Sequence, residues 1–258
     1  MPLTIRMGEE ILYKYLTYDG GLKMLQNSNL QFTNATKFND PFDCHPTLYN
    51  YNNPPEKESQ WYGADFLEMK GKTDMENHRN NTWICCFSKV YDSLLMWAYY
   101  NAHKGICIGL NQDAVLESCN KGYFGTFFPF FEEVQYKDIL DKSDFFKDNM
   151  AWFNILATKA KDWEHEQEVR IIAEGPAWVN AVRDVPQEFR EEEIIDGKEV
   201  RYYPKLSADC FESIYLGLNI FHRNKEDIVR AAKKLNPNIK IYQMTIDSEA
   251  FKLKEVEI

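Results

Sequence analysis

Short apolar segments alternate with polar stretches along the chain, and their periodicity predicts a mixture of strands and helices. Apolar runs rich in aromatic and β-branched residues predict strands at residues 11–16, 30–33, 82–87, 105–110, 132–136, 167–173, 213–218 and 240–246. Apolar positions at helical spacing predict helices at residues 22–25, 93–100, 111–118, 143–163 and 224–235. Because the two kinds of element mix without strict βαβ alternation, the predicted class is α+β, a mixed sheet with flanking helices.

Two polar stretches interrupt this pattern. Residues 49–81 contain Pro54-Pro55 and several asparagines, which predicts a loop with one short helix, inserted as a lid. Residues 182–198 are charged and irregular, which predicts an excursion at the surface. With 258 residues and no internal repeat, the chain is expected to form a single domain over residues 1–258.

The composition narrows the class of protein. The 30 basic and 40 acidic residues give a net charge of −10, so a nucleic-acid partner would need a local basic patch. No apolar run approaches the roughly 18 residues of a membrane span, and the N-terminus lacks the order of a signal peptide. We therefore expect a cytoplasmic protein without membrane contact. The six cysteines form no CxxC pair, which predicts reduced and mostly buried thiols.

The first candidate group is Tyr13-Lys14-Tyr15 on the first predicted strand. Strand alternation places the two tyrosines on one face and Lys14 on the other. The group is then either an amphipathic edge strand or a strand whose Lys14 contacts a phosphate in a cleft.

The second candidate group joins the Cys86-Phe87-Ser88 strand end to the helix that contains Met96-Trp97-Ala98-Tyr99-Tyr100. A strand that ends in a hydroxyl, followed by an aromatic helix, can form the wall of a pocket for a planar ring. The alternative is a core helix that packs its aromatic residues on a sheet. A helix cannot direct all of these rings to one pocket, so at most two of them serve a ligand.

The third candidate group is acidic. Glu164, Glu166 and Glu168 precede an apolar strand and, in extended conformation, would share one face. Paired carboxylates at a strand entrance suit the stabilisation of an oxocarbenium-like centre or the binding of a ribose diol. The alternative is a solvated strand edge whose charge Arg170 balances. His165 has no second pair of spaced ligands beside it, so we expect no metal.

A fourth candidate is the segment Asn39-Asp40-Pro41, which is typical of a turn because Asn and Asp bond their own backbone and proline fixes φ. The turn either supports the first two strands or presents Asn39 and Asp40 to a ligand from a rigid loop.

Together these segments resemble the bacterial domain-of-unknown-function family 2971. The resemblance rests on Leu12-Tyr13-Lys14-Tyr15, on residues 38–43 and 86–88, on residues 96–100 with His103-Lys104-Gly105, and on Trp163 with residues 166–170. These motifs follow one another in family order over nearly the whole chain. The family description implies no function.

The chain also resembles the ADP-ribosyltransferases, which place a basic residue on an early strand, a Ser or Tyr on a middle strand and a Glu at the start of a later one. Here Lys14, Ser88 and Glu166-Gln167-Glu168 occur in that order. Lys14 departs from the usual Arg or His, and Ser88 lacks the usual Ser-Thr-Ser form. The resemblance implies a split sheet and NAD as a substrate that is cleaved at the nicotinamide–ribose bond.

The same resemblance implies a role for each candidate residue. Glu168 would bond the ribose and stabilise its positive charge, Glu166 would orient or deprotonate the acceptor, and Ser88 would hold the ribose or Glu168. The implied cofactor-binding residues are Lys14 at the pyrophosphate, Tyr99 or Tyr100 at nicotinamide, and Tyr15, Asn39, Asp40 and Trp97 around them.

Three functions remain open at this point. The first is an ADP-ribosyltransferase, such as a toxin or phage-defence effector, that modifies protein or nucleic acid. The second is a hydrolase of NAD or another nucleotide. The third is a non-catalytic binding or regulatory module.

Overall fold

The computed structural model describes residues 10–121, 129–140, 142–174 and 203–258. The predicted surface excursion at residues 182–198 lies outside these described residues. The strands are β1 (Ile11–Leu16), β2 (Thr33–Asn34), β3 (Tyr49–Asn50), β4 (Thr82–Ser88), β5 (Ile106–Asn111), β6 (Phe130–Glu133), β7 (Gln135–Lys137), β8 (Ser143–Asp144), β9 (Thr158–Ala160), β10 (Glu168–Glu174), β11 (Phe211–Leu216), β12 (Lys240–Ile246) and β13 (Leu253–Glu257).

The helices flank these strands. The α-helices are α1 (Tyr18–Asn27), α2 (Glu56–Tyr62), α3 (Ala64–Asn80), α4 (Leu94–Asn101), α5 (Gln112–Asn120), α6 (Ala151–Asn154) and α7 (His222–Leu235). Short 3-10 helices span Ala35–Lys37, Pro46–Leu48, Lys161–Glu166 and Ala208–Cys210. None of the helices in the described ranges is long and apolar enough to cross a membrane.

Among the described residues, nine strands form one mixed sheet in the order β13-β12-β11-β5-β1-β4-β10-β6, with β2 paired to β4. The β11–β12 pair is parallel and is connected through α7, while the other pairs in this sheet are antiparallel. Helices lie beside a large mixed sheet, which confirms the predicted α+β class.

The two faces of the sheet are covered differently. One face packs its apolar side chains against α1, α5 and α7 in a continuous core. The opposite face carries two separate clusters. One lies where α3 and α6 cover β4 and β10, and the other lies where α4 covers β1, β5 and β11. A cleft lies between these two clusters.

A gap separates β1 from β4 in the middle of the sheet. β1 pairs with β5, and β4 with β10, along their whole lengths. Within the described residues, β1 and β4 share only the pair Tyr13–Ser88, and β2 pairs with β4 at Ile84 and Trp83. The side of β4 that faces β1 therefore lacks a strand partner between residues 84 and 88, and this stretch is called the gap below.

Most predicted elements lie where the pattern placed them. The predicted strand at residues 11–16 coincides with β1, and the side chains of Ser93 and Asn111 cap α4 and α5 by accepting from the Met96 and Ala114 amides. The edge strand β13 was not predicted. The six cysteines all lie in the described ranges and are free thiols, and each except Cys86 is buried, as the sequence predicts.

The predicted helix at residues 143–163 is wrong. In that segment only α6 is α-helical, although Phe146 and Met150 do fall at helical spacing. The carboxylates of Asp144 and Asp148 accept hydrogen bonds from the Phe146 and Met150 amides, at 3.1 and 2.8 Å. These local side-chain bonds replace the backbone bonds of a helix, which explains why the apolar spacing misleads here.

The inserted segment at residues 49–81 is mostly helical rather than a loop. α3 buries Leu67, Gly71 and Met75 as a narrow stripe at helical spacing. Its exposed side carries i,i+4 ion pairs such as Lys72–Glu68, which support a polar helix. A movement of this segment as a lid stays a prediction.

Gly105, which joins α4 to β5, fixes the position of α4 on the sheet. A Cβ atom added there would lie 2.1 Å from the Leu16 carbonyl oxygen and 2.7 Å from the Asn101 Cβ. A larger residue at this position therefore requires a shift of the backbone.

We predict that Gly105→Ala lowers the free energy of unfolding by about 1–3 kcal/mol, because the backbone around Leu16 must move to admit the new methyl group. Urea denaturation measures this. Gly20→Ala is the control, since its Cβ would meet only side chains, the nearest atom at 3.2 Å. Equal stabilities of the two variants would contradict the prediction.

Candidate active site

A cleft of about 210 Å³ opens at the gap between β1 and β4. Its walls come from the strands β1, β2, β4, β9 and β10, from α4, from the loop that precedes the second short 3-10 helix, and from the 3-10 helix that precedes β10. The lining residues that carry polar groups are Tyr13, Lys14, Tyr15, Gln31, Thr33, Asn39, Asp43, Ser88, Tyr100, Lys159, Glu166 and Glu168. The cleft is smaller than the roughly 300–1,000 Å³ of pockets that enclose a drug-sized ligand.

Strand pairing aligns three residues across the cleft. Tyr13 is opposite Ser88 on the β1–β4 pair, and Ser88 is opposite Glu168 on the β4–β10 pair. Directly opposed residues project to the same face of a sheet, so these side chains form a row on the face that bears the cleft. Ser88 is buried, and its hydroxyl accepts a hydrogen bond from the Val90 amide at 3.2 Å.

Lys14 reaches the cleft through the gap. Strand alternation directs it toward the opposite face, but its ammonium donates to the Cys86 carbonyl oxygen at 3.0 Å and to the Cys85 Sγ at 3.1 Å. It also lies 5.3 Å from the centre of the Phe87 ring. Within the described residues, no carboxylate forms a salt bridge with this ammonium, although it lines the cleft.

Arg170 forms the centre of a buried ion-pair network beside the cleft. Its side chain is 0% exposed. It donates to the Asp43 carboxylate through both terminal nitrogens at 2.8 and 2.7 Å, and to Glu168 through Nε at 2.8 Å and Nη2 at 3.1 Å. Nη1 also donates to the Leu156 carbonyl oxygen at 2.6 Å. These bonds use all five N–H groups of the guanidinium, so its charge is fully satisfied.

Lys159 connects the two glutamates that line the cleft. Its ammonium donates to Glu166 Oε2 at 2.5 Å and to Glu168 Oε2 at 3.1 Å, and it lies 4.8 Å from the centre of the Trp163 ring. The other oxygen of Glu166 accepts from the Tyr100 hydroxyl at 2.5 Å. One cation and one phenol therefore hold the two carboxylates together despite their mutual repulsion.

The ion pairs shift the pKa values of these groups. Burial alone would raise the pKa of Glu168, but Arg170 and Lys159 lower it to about 2. Burial would lower the pKa of Lys159, but Glu168 and Glu166 raise it above the ordinary value. Burial raises the pKa of Tyr100, and Glu166 raises it further. At neutral pH Glu168 is thus ionised, Lys159 protonated and Tyr100 a neutral donor.

The charges of the described residues around the cleft balance one another. The cations are Lys14, Lys159 and Arg170, and the anions are Asp43, Glu166 and Glu168. Two of the three cations are ion-paired to these carboxylates, whereas Lys14 is bonded only to a carbonyl oxygen and a thiol.

The three glutamates do not share one face, so that prediction is wrong. Residues 161–166 form a 3-10 helix, and Gln167 adopts a left-handed conformation with φ of 43° before β10 begins. Glu164 consequently points into solvent, while Glu166 and Glu168 are buried. The expected solvated edge is also wrong, because Arg170 lies inside the protein rather than at its surface.

The structure brings most of the predicted site residues to the cleft. Those that line it are Lys14, Tyr15, Asn39, Ser88, Tyr100, Glu166 and Glu168. Three others lie elsewhere. Trp97 is fully buried, with its indole N–H donating to the Tyr91 carbonyl oxygen, and Tyr99 is 70% exposed beside His165. Asp40 is buried, and its Oδ1 caps the turn by accepting from the Phe42 amide at 2.9 Å.

Sequence reasoning missed Lys159 and the role of Asp43. Lys159 falls in the segment that was predicted to be helical, so nothing in the pattern connected it to the glutamates. Asp43 belongs to residues 38–43 of the family resemblance, which assigns it no role of its own. A signal did exist for Arg170, because residues two apart on a strand share a face, which places its guanidinium beside Glu168. A buried arginine there requires a second acid, which Asp43 supplies.

Within the described ranges, no group of three or more His, Cys, Asp or Glu side chains could hold a metal ion. His165 does not join Glu166 and Glu168, since its Nδ1 lies 3.0 Å from the Asp162 carbonyl oxygen.

Comparison with known proteins matches one segment of the chain to a family. Residues 96–171 match the family described as "Protein of unknown function (DUF2971)". The match confirms the predicted resemblance to family 2971 over that segment, which runs from α4 to β10 and contains Tyr100, Lys159, Glu166 and Glu168. No curated protein and no solved structure matches the chain. The resemblance to ADP-ribosyltransferases stays a prediction.

We predict that Asp43→Asn strongly destabilises the protein. The substitution removes the anion that shares the Arg170 guanidinium with Glu168, and breaking one partner of a buried ion pair costs about 3–5 kcal/mol. Urea denaturation measures the change. Glu133→Gln is the matched control, because Glu133 pairs with Lys89 at 2.6 Å on the surface, where an ion pair contributes only about 0–1 kcal/mol. A loss at position 43 no larger than at position 133 would contradict the prediction.

We further predict an acid limb of stability that depends on Glu168. Its pKa of about 2 in the folded protein lies below the ordinary value of 4.5, so the unfolded chain takes up the proton first. The stabilisation is therefore complete above pH 4.5 and is lost as the pH falls toward 2. Urea denaturation over this window should give a smaller slope for Glu168→Gln than for the wild type. Glu164→Gln should keep the wild-type slope, and an unchanged slope for Glu168→Gln would refute the assignment.

Proposed function

We propose that the protein is an NAD-consuming enzyme of the ADP-ribosyltransferase type, with its active site in the cleft at the gap between β1 and β4. The observation that carries the proposal is the ammonium of Lys14, which pairs with no carboxylate of the described residues, in a cleft that also contains a buried pair of glutamates. A cation that is withdrawn from water without a carboxylate partner is costly unless an anion arrives. A nucleotide pyrophosphate supplies that anion.

The order of the site residues across the sheet supports the same proposal. Lys14 lies on β1, Ser88 at the end of β4 and Glu168 at the start of β10, and these three strands are neighbours. The resemblance to ADP-ribosyltransferases rests on the same three residues in the same order. The geometry adds that they surround one cleft, and that Ser88 and Glu168 occupy opposed positions.

The proposed reaction is the heterolysis of the bond between the ribose C1′ and the nicotinamide nitrogen. Its electron pair goes to the nitrogen, which leaves as neutral nicotinamide, and positive charge develops on the ribose. A carboxylate held beside the sugar stabilises that charge without reorganising in the reaction. The acceptor then forms a bond to C1′ and loses its proton. A protein or nucleic-acid acceptor makes the enzyme a transferase, as in a toxin or phage-defence effector, and water makes it a hydrolase.

The size of the cleft limits which part of NAD it encloses. About 210 Å³ is less than the volume of pockets that bury a whole drug-sized ligand. In this proposal the nicotinamide riboside half enters the cleft, with the pyrophosphate at Lys14 and the adenosine half outside. Tyr100 is 43% exposed at the rim, and in this proposal its ring contacts the nicotinamide.

The experiment combines NAD binding with nicotinamide release. Millimolar NAD should raise the melting temperature of the wild type, because a ligand that binds only the folded state stabilises it. Lys14→Gln should weaken NAD binding roughly 10- to 100-fold, since a hydrogen bond to a charged group contributes about 1.5–3 kcal/mol. Lys161→Gln, at an exposed lysine, is the control.

The possible outcomes separate the candidate functions. Nicotinamide release with a modified macromolecule indicates a transferase, and release with free ADP-ribose alone indicates a hydrolase. Binding without release favours a regulatory module. Neither binding nor release by the wild type contradicts the proposal.

A further inference from the structure

The two glutamates of the cleft differ in how many acceptor positions remain for a ligand. A carboxylate offers about four lone-pair positions. Glu168 accepts two bonds from Arg170 and one from Lys159, and the Cys86 thiol is a further hydrogen-bond partner. From the described residues, Glu166 accepts one bond from Lys159 and one from the Tyr100 hydroxyl. Glu166 therefore retains free acceptor positions, whereas those of Glu168 are occupied.

The surrounding charges separate the two glutamates in the same way. Arg170 faces Glu168 with two donors at 2.8 and 3.1 Å, and Lys159 adds a second cation at 3.1 Å. Positive charge on a substrate beside Glu168 would be opposed by both cations. Glu166 shares one cation with Glu168, and its other partner is the neutral Tyr100. The field at Glu166 is thus the more favourable one for a developing positive charge.

We infer that Glu166 is the catalytic carboxylate, which contacts the ribose as positive charge develops at C1′, and that Glu168 is a positioning residue held by Arg170. The inference rests on the proposed function and reverses the roles that the ADP-ribosyltransferase resemblance implies. The C1′–nitrogen bond breaks with its electron pair on nicotinamide, the carboxylate of Glu166 stabilises the cation, and the acceptor bonds to C1′ and releases its proton to solvent.

Lys159 and Tyr100 then act as positioning residues for Glu166. Lys159 bridges Glu166 to Glu168, which Arg170 holds to Asp43. Tyr100 holds the second oxygen of Glu166 from α4, on the opposite wall of the cleft. The catalytic carboxylate is consequently fixed between a network inside the protein and a side chain at the rim.

The test compares Glu166→Gln, Glu168→Gln and the exposed control Glu164→Gln in nicotinamide release and thermal unfolding. For Glu166→Gln we expect kcat, measured below the unfolding transition of the variant, to fall roughly 10²- to 10³-fold. Its melting temperature should also fall, because the substitution breaks the buried pair with Lys159. For Glu168→Gln we expect a lower melting temperature and a kcat within about tenfold of the wild type, measured below its unfolding transition. Glu164→Gln should match the wild type in both measurements.

Each outcome has a distinct meaning. Wild-type protein that releases no nicotinamide overturns the proposed function. Active wild type with a larger loss of kcat in Glu168→Gln than in Glu166→Gln overturns the inference alone. Should Glu168→Gln fail to fold, Glu168→Asp replaces it, because this variant keeps the charge for Arg170, and the same comparison of kcat decides.

Tyr100→Phe provides a readout that a purely structural role would not change. Loss of the phenol removes the hydrogen bond that Tyr100 donates to Glu166 Oε1. We expect kcat to fall roughly tenfold while KM and the melting temperature stay near those of the wild type. Tyr99→Phe is the matched control, because Tyr99 lies about 100° around the helix from Tyr100 and is 70% exposed. An unchanged kcat in Tyr100→Phe would count against Glu166 as the catalytic carboxylate.

Discussion

The guanidinium of Arg170 is the constraint on which the site depends. It joins β10 to Asp43 in the loop after β2 and to the Leu156 carbonyl oxygen after α6, and it fixes Glu168 on its own strand. An arginine buried at this depth is tolerated only because every one of its donors is used. Any change in the loop or in the segment after α6 therefore changes the position of a glutamate in the cleft.

Arg170 has all of its donors paired, whereas the gap between β1 and β4 leaves part of the β4 backbone edge that faces β1 without a strand partner in the described sheet. Lys14 satisfies part of that edge by donating to the Cys86 carbonyl oxygen. A continuous strand pair would have closed the sheet and left no entrance from this face. The same local defect thus creates the cleft and places a cation in it, so the proposed binding of an anion depends on the topology of the sheet rather than on a surface loop.

The sequence predicted the parts of the fold that depend on local patterns. Alternation and apolar runs located β1, β4 and β10, and capping residues located α4 and α5, because these signals lie within a few neighbouring residues. The predicted helix at residues 143–163 is wrong, because the side chains of Asp144 and Asp148 accept hydrogen bonds from backbone amides and prevent the helix that the apolar spacing indicates. Asp43 reaches the site through Arg170, 127 residues away in sequence, a contact that no local pattern indicates. Lys159 contacts Glu166 and Glu168 because residues 161–166 form a 3-10 helix, which the apolar spacing does not indicate.

Because the net charge is −10, the proposed binding of an anionic nucleotide depends on where the cations of the cleft lie. An anionic nucleotide is repelled at long range by such a protein, although salt screens this repulsion beyond roughly 8–10 Å. Attraction must then come from charges inside the cleft, where the lower dielectric strengthens each interaction. Arg170 and Lys159 are neutralised by carboxylates at close range, so their fields largely cancel there. Among the described residues around the cleft, Lys14 is the cation that no carboxylate neutralises. The proposed binding of an anion therefore depends on the gap rather than on the ion-pair network.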